Sequence, residues 1–139
     1  MTNSIKQLVA ELHGYFSANN FEKTLSMMAD DIRVEAFALG ATFEGREGAI
    51  QFMQGFKGAF PDLQITHKNI VENGSEVAVE FTATGKHTGD LHTPAGVVPP
   101  TGKIVNFTVC EVQTWENGKV KSIRNYQDSG SLMRQLGLI

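Results

Sequence analysis

Before Phe60 the apolar residues recur every third or fourth position, and beyond Leu63 they recur every second, so one change of period divides the chain into a helical part and a sheet part. The strand-like segments are LQITHKNIV, VAVEFTATGKH, KIVNFTVCEVQTW and VKSIRNYQD. Asn-Gly pairs at 73–74 and 117–118 mark tight turns between them, and strands joined in this way pair antiparallel. Ahead of them, Ser4 and Gln7 form a capping box for a helix carrying Ile5, Leu8, Val9, Leu12 and Phe16 on one face. Asn20 caps a short second helix with Phe21, Leu25 and Met28 on its face. A third stripe, Ile50, Met53, Phe56 and Phe60, is stopped by Pro61. IRVEAFAL between them reads as a strand, and SLMRQLGLI as a closing helical turn or docked tail. The expected fold is α+β: three N-terminal helices packed on one face of a strongly curved antiparallel sheet, making a cone with a mouth.

One core of that kind is what 139 residues, 41% of them hydrophobic, can support, so residues 1–139 read as a single domain. Twelve Lys and Arg against fifteen Asp and Glu leave a net charge of -3 without a basic run, which argues against nucleic acid and anionic membrane as partners. No apolar run approaches the roughly 18 residues of a spanning helix. The expectation is a soluble, uncleaved, cytoplasmic protein. Cys110 has no second cysteine to pair with, and the four histidines show no metal-ligand spacing, so neither a metal nor another cofactor is expected.

The connection from about Thr88 to Gly102 holds three of the four prolines. It is longer than a hairpin needs, and long connections of this sort are commonly functional or disordered. Proline stiffens it, so TPAGVVPPTG reads as a flap over the mouth or an arm to a second subunit, with His87 at its hinge and His92 on it.

Chemistry-bearing residues follow from strand parity. His87 ends the apolar stripe of Val77, Val79, Phe81, Ala83 and Gly85; it is either a proton shuttle or donor to a ligand carbonyl, or a histidine satisfied by the loop. Ser122, Arg124, Tyr126 and Asp128 share a face of the last strand. If that face lines the cavity, Asp128 is a base with a raised pKa; by local sequence alone it is the N-cap of SGSLM. Glu111 shares a face with Phe107, Val109, Gln113 and Trp115 and is a candidate interior carboxylate, as is Glu35. Phe37, Phe56 and Trp115 read as core, some of it lining the mouth. No Ser or Cys nucleophile motif and no nucleotide-binding glycine fingerprint is present, which leaves chemistry that side-chain acids and bases can perform.

FEGREGAIQFMQGFKGAFPDLQI, GKHTGDL followed by VPPTGKIVNF, WENGKV and YQDSGSLMRQLGLI, in this order from about residue 5 to the C-terminus, resemble the SnoaL-like polyketide and ester cyclases of the nuclear-transport-factor-2-like superfamily. The resemblance implies a cystatin-like cone, a homodimer paired through the outer sheet face, and an apolar pocket for a small ring-forming or aromatic carbonyl compound. It also implies that Asp128 is the acid/base group of an intramolecular aldol-type cyclisation or isomerisation, with His87 or Tyr126 as donor and Glu35, Phe37, Phe56, Glu111 and Trp115 around the substrate. Many relatives carry a histidine in the first strand where this chain has Arg33 and Glu35, which implies a different substrate or a buried ion pair. The superfamily also contains epoxide hydrolases and non-catalytic binding or dimerisation modules, the two alternatives to a cyclase.

Overall fold

The computed structural model describes residues 4–139; Met1 to Asn3 lie outside the described residues. Helix α1 (Ile5–Ser17) opens on the capping box of Ser4 and Gln7 and buries Val9, Leu12, His13, Phe16 and Ser17. Asn20 caps α2 (Phe21–Ser26), accepting from Lys23 N. This helix is shorter than the apolar spacing suggests, because Met28 already belongs to strand β1 (Met28–Ala36). A short 3-10 turn (Phe37–Leu39) and Gly40, at φ 61°, reverse the chain into β2 (Ala41–Glu44), which pairs back on β1. Four residues show too little period to reveal that strand in advance. Helix α3 (Gly45–Ala59) starts one turn earlier than its apolar stripe and ends at Phe60, ahead of Pro61.

The remaining strands are β3 (Gln64–Asn73), β4 (Glu76–Lys86), β5 (Leu91–Thr93), β6 (Gly96–Val98), β7 (Ile104–Glu116) and β8 (Lys119–Gln127). The main sheet runs β2-β1-β8-β7-β4-β3, antiparallel except where β1 lies parallel to β8. Between β7 and β8, Asn117 and Gly118 both take positive φ, 53° and 75°, as a two-residue turn with the twist of the flanking strands requires. The inner face carries Val77, Val79, Phe81 and Ala83 of β4 and Val105, Phe107, Val109 and Trp115 of β7, all buried beneath the helices.

On β8 the inward face is Val120, Ile123, Asn125 and Gln127, which corrects the expected set of Ser122, Arg124, Tyr126 and Asp128. The register shifts between Thr114 and Trp115, so one extra residue of β8 is accommodated and the parity of everything after it reverses. The chain closes with α4 (Ser129–Gln135), which docks through Leu132 and Leu136.

Strands β5 and β6 form a separate small hairpin inside the long connection. Its base is clamped: Thr88 N and Gly89 N donate to Ala59 O, His87 N donates to Lys103 O, and Gly102 N donates to His87 O. A Cβ on Gly89 would lie 1.9 Å from Gly58 O, so only glycine allows this approach to the end of α3. Lys57, also on α3, is buried and donates to Ser17 O at 3.0 Å and Leu63 O at 2.8 Å, tying the end of α1 to the start of the sheet.

Candidate functional site

Glu111 sits on the inner face of β7 opposite Asn125 of β8, and its carboxylate is buried to 6% exposure. Oε1 accepts from Nε2 of Gln113 at 2.8 Å and from Nε2 of His13 at 3.0 Å; Oε2 accepts from Nδ2 of Asn125 at 2.8 Å. The orientation of each amide is fixed by its next neighbour. The Trp115 indole can only donate, and it donates to Gln113 Oε1 at 2.9 Å, which turns the Gln113 amide nitrogen to the carboxylate. Gln127 donates to Asn125 Oδ1 at 3.2 Å, which does the same for Asn125. Five polar side chains thus direct their donors along converging paths to one carboxylate. Burial alone would push the Glu111 carboxyl up; the hydrogen bond and charge of His13, followed by the amides of Asn125 and Gln113, outweigh it and hold the group below the usual carboxylate value.

His13 continues the network outward. With Nε2–H given to Glu111, its Nδ1 lies 2.7 Å from Nε2 of His67 on the edge strand β3, so one proton is shared between the two rings. The rings stand edge-to-face at 5.0 Å, and His13 also packs edge-on to Phe81 at 4.8 Å. Burial lowers the His67 pKa below the ordinary histidine value; the charge of His13 acts the same way and Glu111 opposes both. Glu111, His13 and His67 therefore form a carboxylate–imidazole–imidazole line from the interior to a half-buried position at the sheet edge.

An apolar cavity of about 50 Å³ adjoins this line. Phe16, Phe52, Phe56, Phe81 and Phe107 supply much of its wall, and His13, Glu111, Asn125 and Gln127 are its polar lining. A second space of about 220 Å³ lies beyond Phe56 and Gln127, roofed by the β5–β6 hairpin and floored by α4.

Of the residues expected from sequence, Glu111 and Phe56 line the inner cavity, and Trp115, 3% exposed, reaches it only through Gln113. Asp128 is not in the cavity. It is exposed, and its Oδ1 accepts from Ser131 N at 3.0 Å as the N-cap of α4, because the reversed parity of β8 turns it outward and the orphan amides of α4 claim it. His87 is buried but does not line the inner cavity; its Nδ1 accepts from Thr101 N at 3.1 Å and contacts Thr101 Oγ1 at 3.0 Å, which ties the two ends of the connection together. Tyr126 and Phe37 stack on each other at 4.7 Å on the outer face, each close to half exposed. Glu35 is half-buried on that same outer face, opposite Thr42 and Arg124, so it forms no interior ion pair; Arg33 beside it meets Glu44 at 3.5 Å. His13, His67, Asn125 and Gln127 were not singled out by sequence. His13 did carry a signal, a titratable group four residues after Val9 on the apolar stripe of α1.

A curved, mostly antiparallel sheet under helices, closing on an apolar cavity with a polar floor, defines a nuclear-transport-factor-2-like cone. The chain belongs to the SnoaL-like polyketide cyclase family, whose pattern it matches over residues 6–136. Similar solved structures include a proposed SnoaL-like polyketide cyclase from Jannaschia sp. CCS1 (22% identity, TM-score 0.84, covering 100% of this chain and 99% of that one). IdmH, a proposed polyketide cyclase from Streptomyces antibioticus, is 24% identical with a TM-score of 0.83 and covers 97% of this chain and 99% of its own. AclR, a proposed hydroxylase from Streptomyces galilaeus, is 25% identical with a TM-score of 0.82, covering 96% and 85% respectively. No curated protein sequence matches the chain at a significant level. No helix among the described residues is long and apolar enough to cross a membrane.

Proposed function

We propose that the chain binds a small apolar or aromatic carbonyl compound with its reacting end in the inner cavity and moves a proton on it, in an intramolecular aldol-type cyclisation or an isomerisation. The observation that carries this reading is Glu111: a buried carboxylate held ionised inside an apolar cavity, with His13 and His67 in line behind it. Here Oε1 receives two donors and Oε2 only one, which leaves an acceptor position on Oε2 for a substrate proton. A carboxylate of lowered basicity is a weak base, so the C–H within its reach is an acidic one flanked by carbonyls, where the substrate spreads the negative charge. Oε2 takes that proton and the C–H electron pair moves into an enolate; in the cyclisation the enolate carbon bonds to a second carbonyl carbon of the substrate, whose C=O π pair moves to its oxygen and takes the proton back from Oε2, and in the isomerisation the proton returns from Oε2 to another carbon of the enolate. Gln127, whose amide uses one N–H on Asn125, has a second to offer the enolate oxygen. Glu111 thereby takes the role first expected of Asp128.

The test is a screen of cyclic and aromatic 1,3-dicarbonyl compounds, followed by turnover assays on the hits. Glu111→Gln is expected to lower turnover about 100-fold or more, the scale of a lost general base. Asp128→Asn, which keeps a good N-cap, is expected to leave turnover unchanged. The reverse pattern would return the role to Asp128, and binding without turnover in the unaltered protein would make the chain a non-catalytic binding module.

The same reading includes a homodimer through the outer sheet face. Ala78, Cys110, Val112 and Arg124 there are half-buried rather than exposed, and the Phe37–Tyr126 stack stands beside them. Sedimentation at micromolar concentration is expected to give twice the mass of one chain; Tyr126→Glu should shift it to one.

A further inference from the structure

The inner cavity, at about 50 Å³, is far smaller than the roughly 300–1,000 Å³ of clefts that hold drug-sized ligands. It has room for little more than the reacting end of a molecule. The outer space, at about 220 Å³, shares Phe56 and Gln127 with it, so these two side chains are the partition between the two chambers and the contact of each with the other. Gln127 is also bonded through Asn125 to Glu111, which links whatever occupies the outer chamber to the polar floor of the inner one. The outer walls come from Leu91 and Pro94 of the hairpin, Leu39 of the 3-10 turn, and Leu132 and Met133 of α4. None of the described outer lining residues is Asp, Glu, Lys or Arg, and His92 is the one histidine among them.

We propose that the two chambers are one bipartite site, and that the ligand is a carbonyl-bearing ring joined to a neutral, apolar extension of several carbons. The carbonyl-bearing edge of the ring enters the inner chamber toward Glu111, and the body of the molecule with its extension lies under the β5–β6 hairpin. Charged extensions are disfavoured because no Asp, Glu, Lys or Arg lines the outer wall to pair with them. The hairpin is built for a fixed roof: its base is held to Ala59 and Lys103 by backbone bonds and by the His87–Thr101 contacts, while Pro94, Ala95 and Gly96 at its tip are exposed. This rests on the reading of the inner cavity given above and specifies the substrate class for it.

The experiment is calorimetric titration with alkyl phenyl ketones of increasing chain length, from acetophenone to decanophenone. Affinity is expected to rise about fourfold per added methylene, the value of burying one CH₂, until the outer chamber is filled, and then to level. Ala95→Trp, a change at an exposed position of the roof, is expected to cut the ratio of long-chain to short-chain affinity at least tenfold. Acetophenone binding with no gain along the series would overturn the second chamber alone. A gain that Ala95→Trp leaves untouched would overturn it as well, because the chain would then lie elsewhere. If no member binds, acetophenone included, the inner-cavity reading falls and takes the bipartite site with it.

Discussion

Replacing Glu111 with alanine is expected to lower the free energy of unfolding by about 3–5 kcal/mol, the usual cost of removing one partner from a buried charged network. Three donors would be stranded at once: His13 Nε2, Gln113 Nε2 and Asn125 Nδ2, all on buried residues. None can turn to another acceptor without breaking its second bond, since Gln113 is committed to Trp115, Asn125 to Gln127 and His13 to His67. The penalty is therefore desolvation of several polar groups rather than loss of one hydrogen bond. Glu111→Gln keeps the shape and one oxygen, but its amide nitrogen must face a donor on one side or the other, so its loss should be intermediate. Urea denaturation reads both, provided the slope with denaturant stays constant across the variants. A loss below about 1 kcal/mol for alanine, the scale of a single ordinary hydrogen bond, would mean that the network does not hold the core.

That network was only partly legible in the sequence. Helices α1 and α3, the long strands and both Asn-Gly turns follow from local spacing, and the parity of β7 places Glu111, Gln113 and Trp115 on one face because nothing interrupts the strand between Val105 and Thr114. β8 was misread for a physical reason: a one-residue register shift near its start exchanges its faces, and no residue type in VKSIRNYQD announces it. His13 and Glu111 are 98 positions apart, and His13 and His67 are 54 apart. Their meeting depends on how α1 crosses the edge of the sheet, a packing outcome that no window of sequence contains. Asp128 is the opposite case. Local capping chemistry alone assigns it to the start of α4, where the structure places it, whereas the family resemblance had assigned it to the cavity.

Acid is expected to destabilise the protein in two stages, each traceable to one end of the line from Glu111 to His67. The folded-state pKa of His67 lies below its ordinary 6.5, so as the pH falls through 6.5 the unfolded chain takes up a proton that the folded chain refuses, and stability declines. The slope for one such proton cannot exceed about 1.4 kcal/mol per pH unit, and His67 is half-buried, so solvent screening should keep the observed slope well below that limit. Glu111 acts later: its folded-state pKa lies below 4.5, so its contribution is complete above pH 4.5 and is lost as the pH falls through the folded value. The exposed pair of Asp31 and Lys121 points the same way but is open to solvent, and such pairs contribute little. The groups that face His67 are His13 from α1 and Glu111 from β7, so substitutions can separate the stages. Urea denaturation at pH 7.5, 5.5, 4.5 and 3 is expected to show one decline between pH 7.5 and 5.5 and a second below pH 4.5. His67→Gln should flatten the part between pH 6.5 and 5.5 and leave the decline below pH 4.5, while Glu111→Gln should do the reverse. A midpoint that does not move between pH 7.5 and 5.5 in the unaltered protein would show that His67 is not held neutral by its surroundings, and that the line from Glu111 ends at His13.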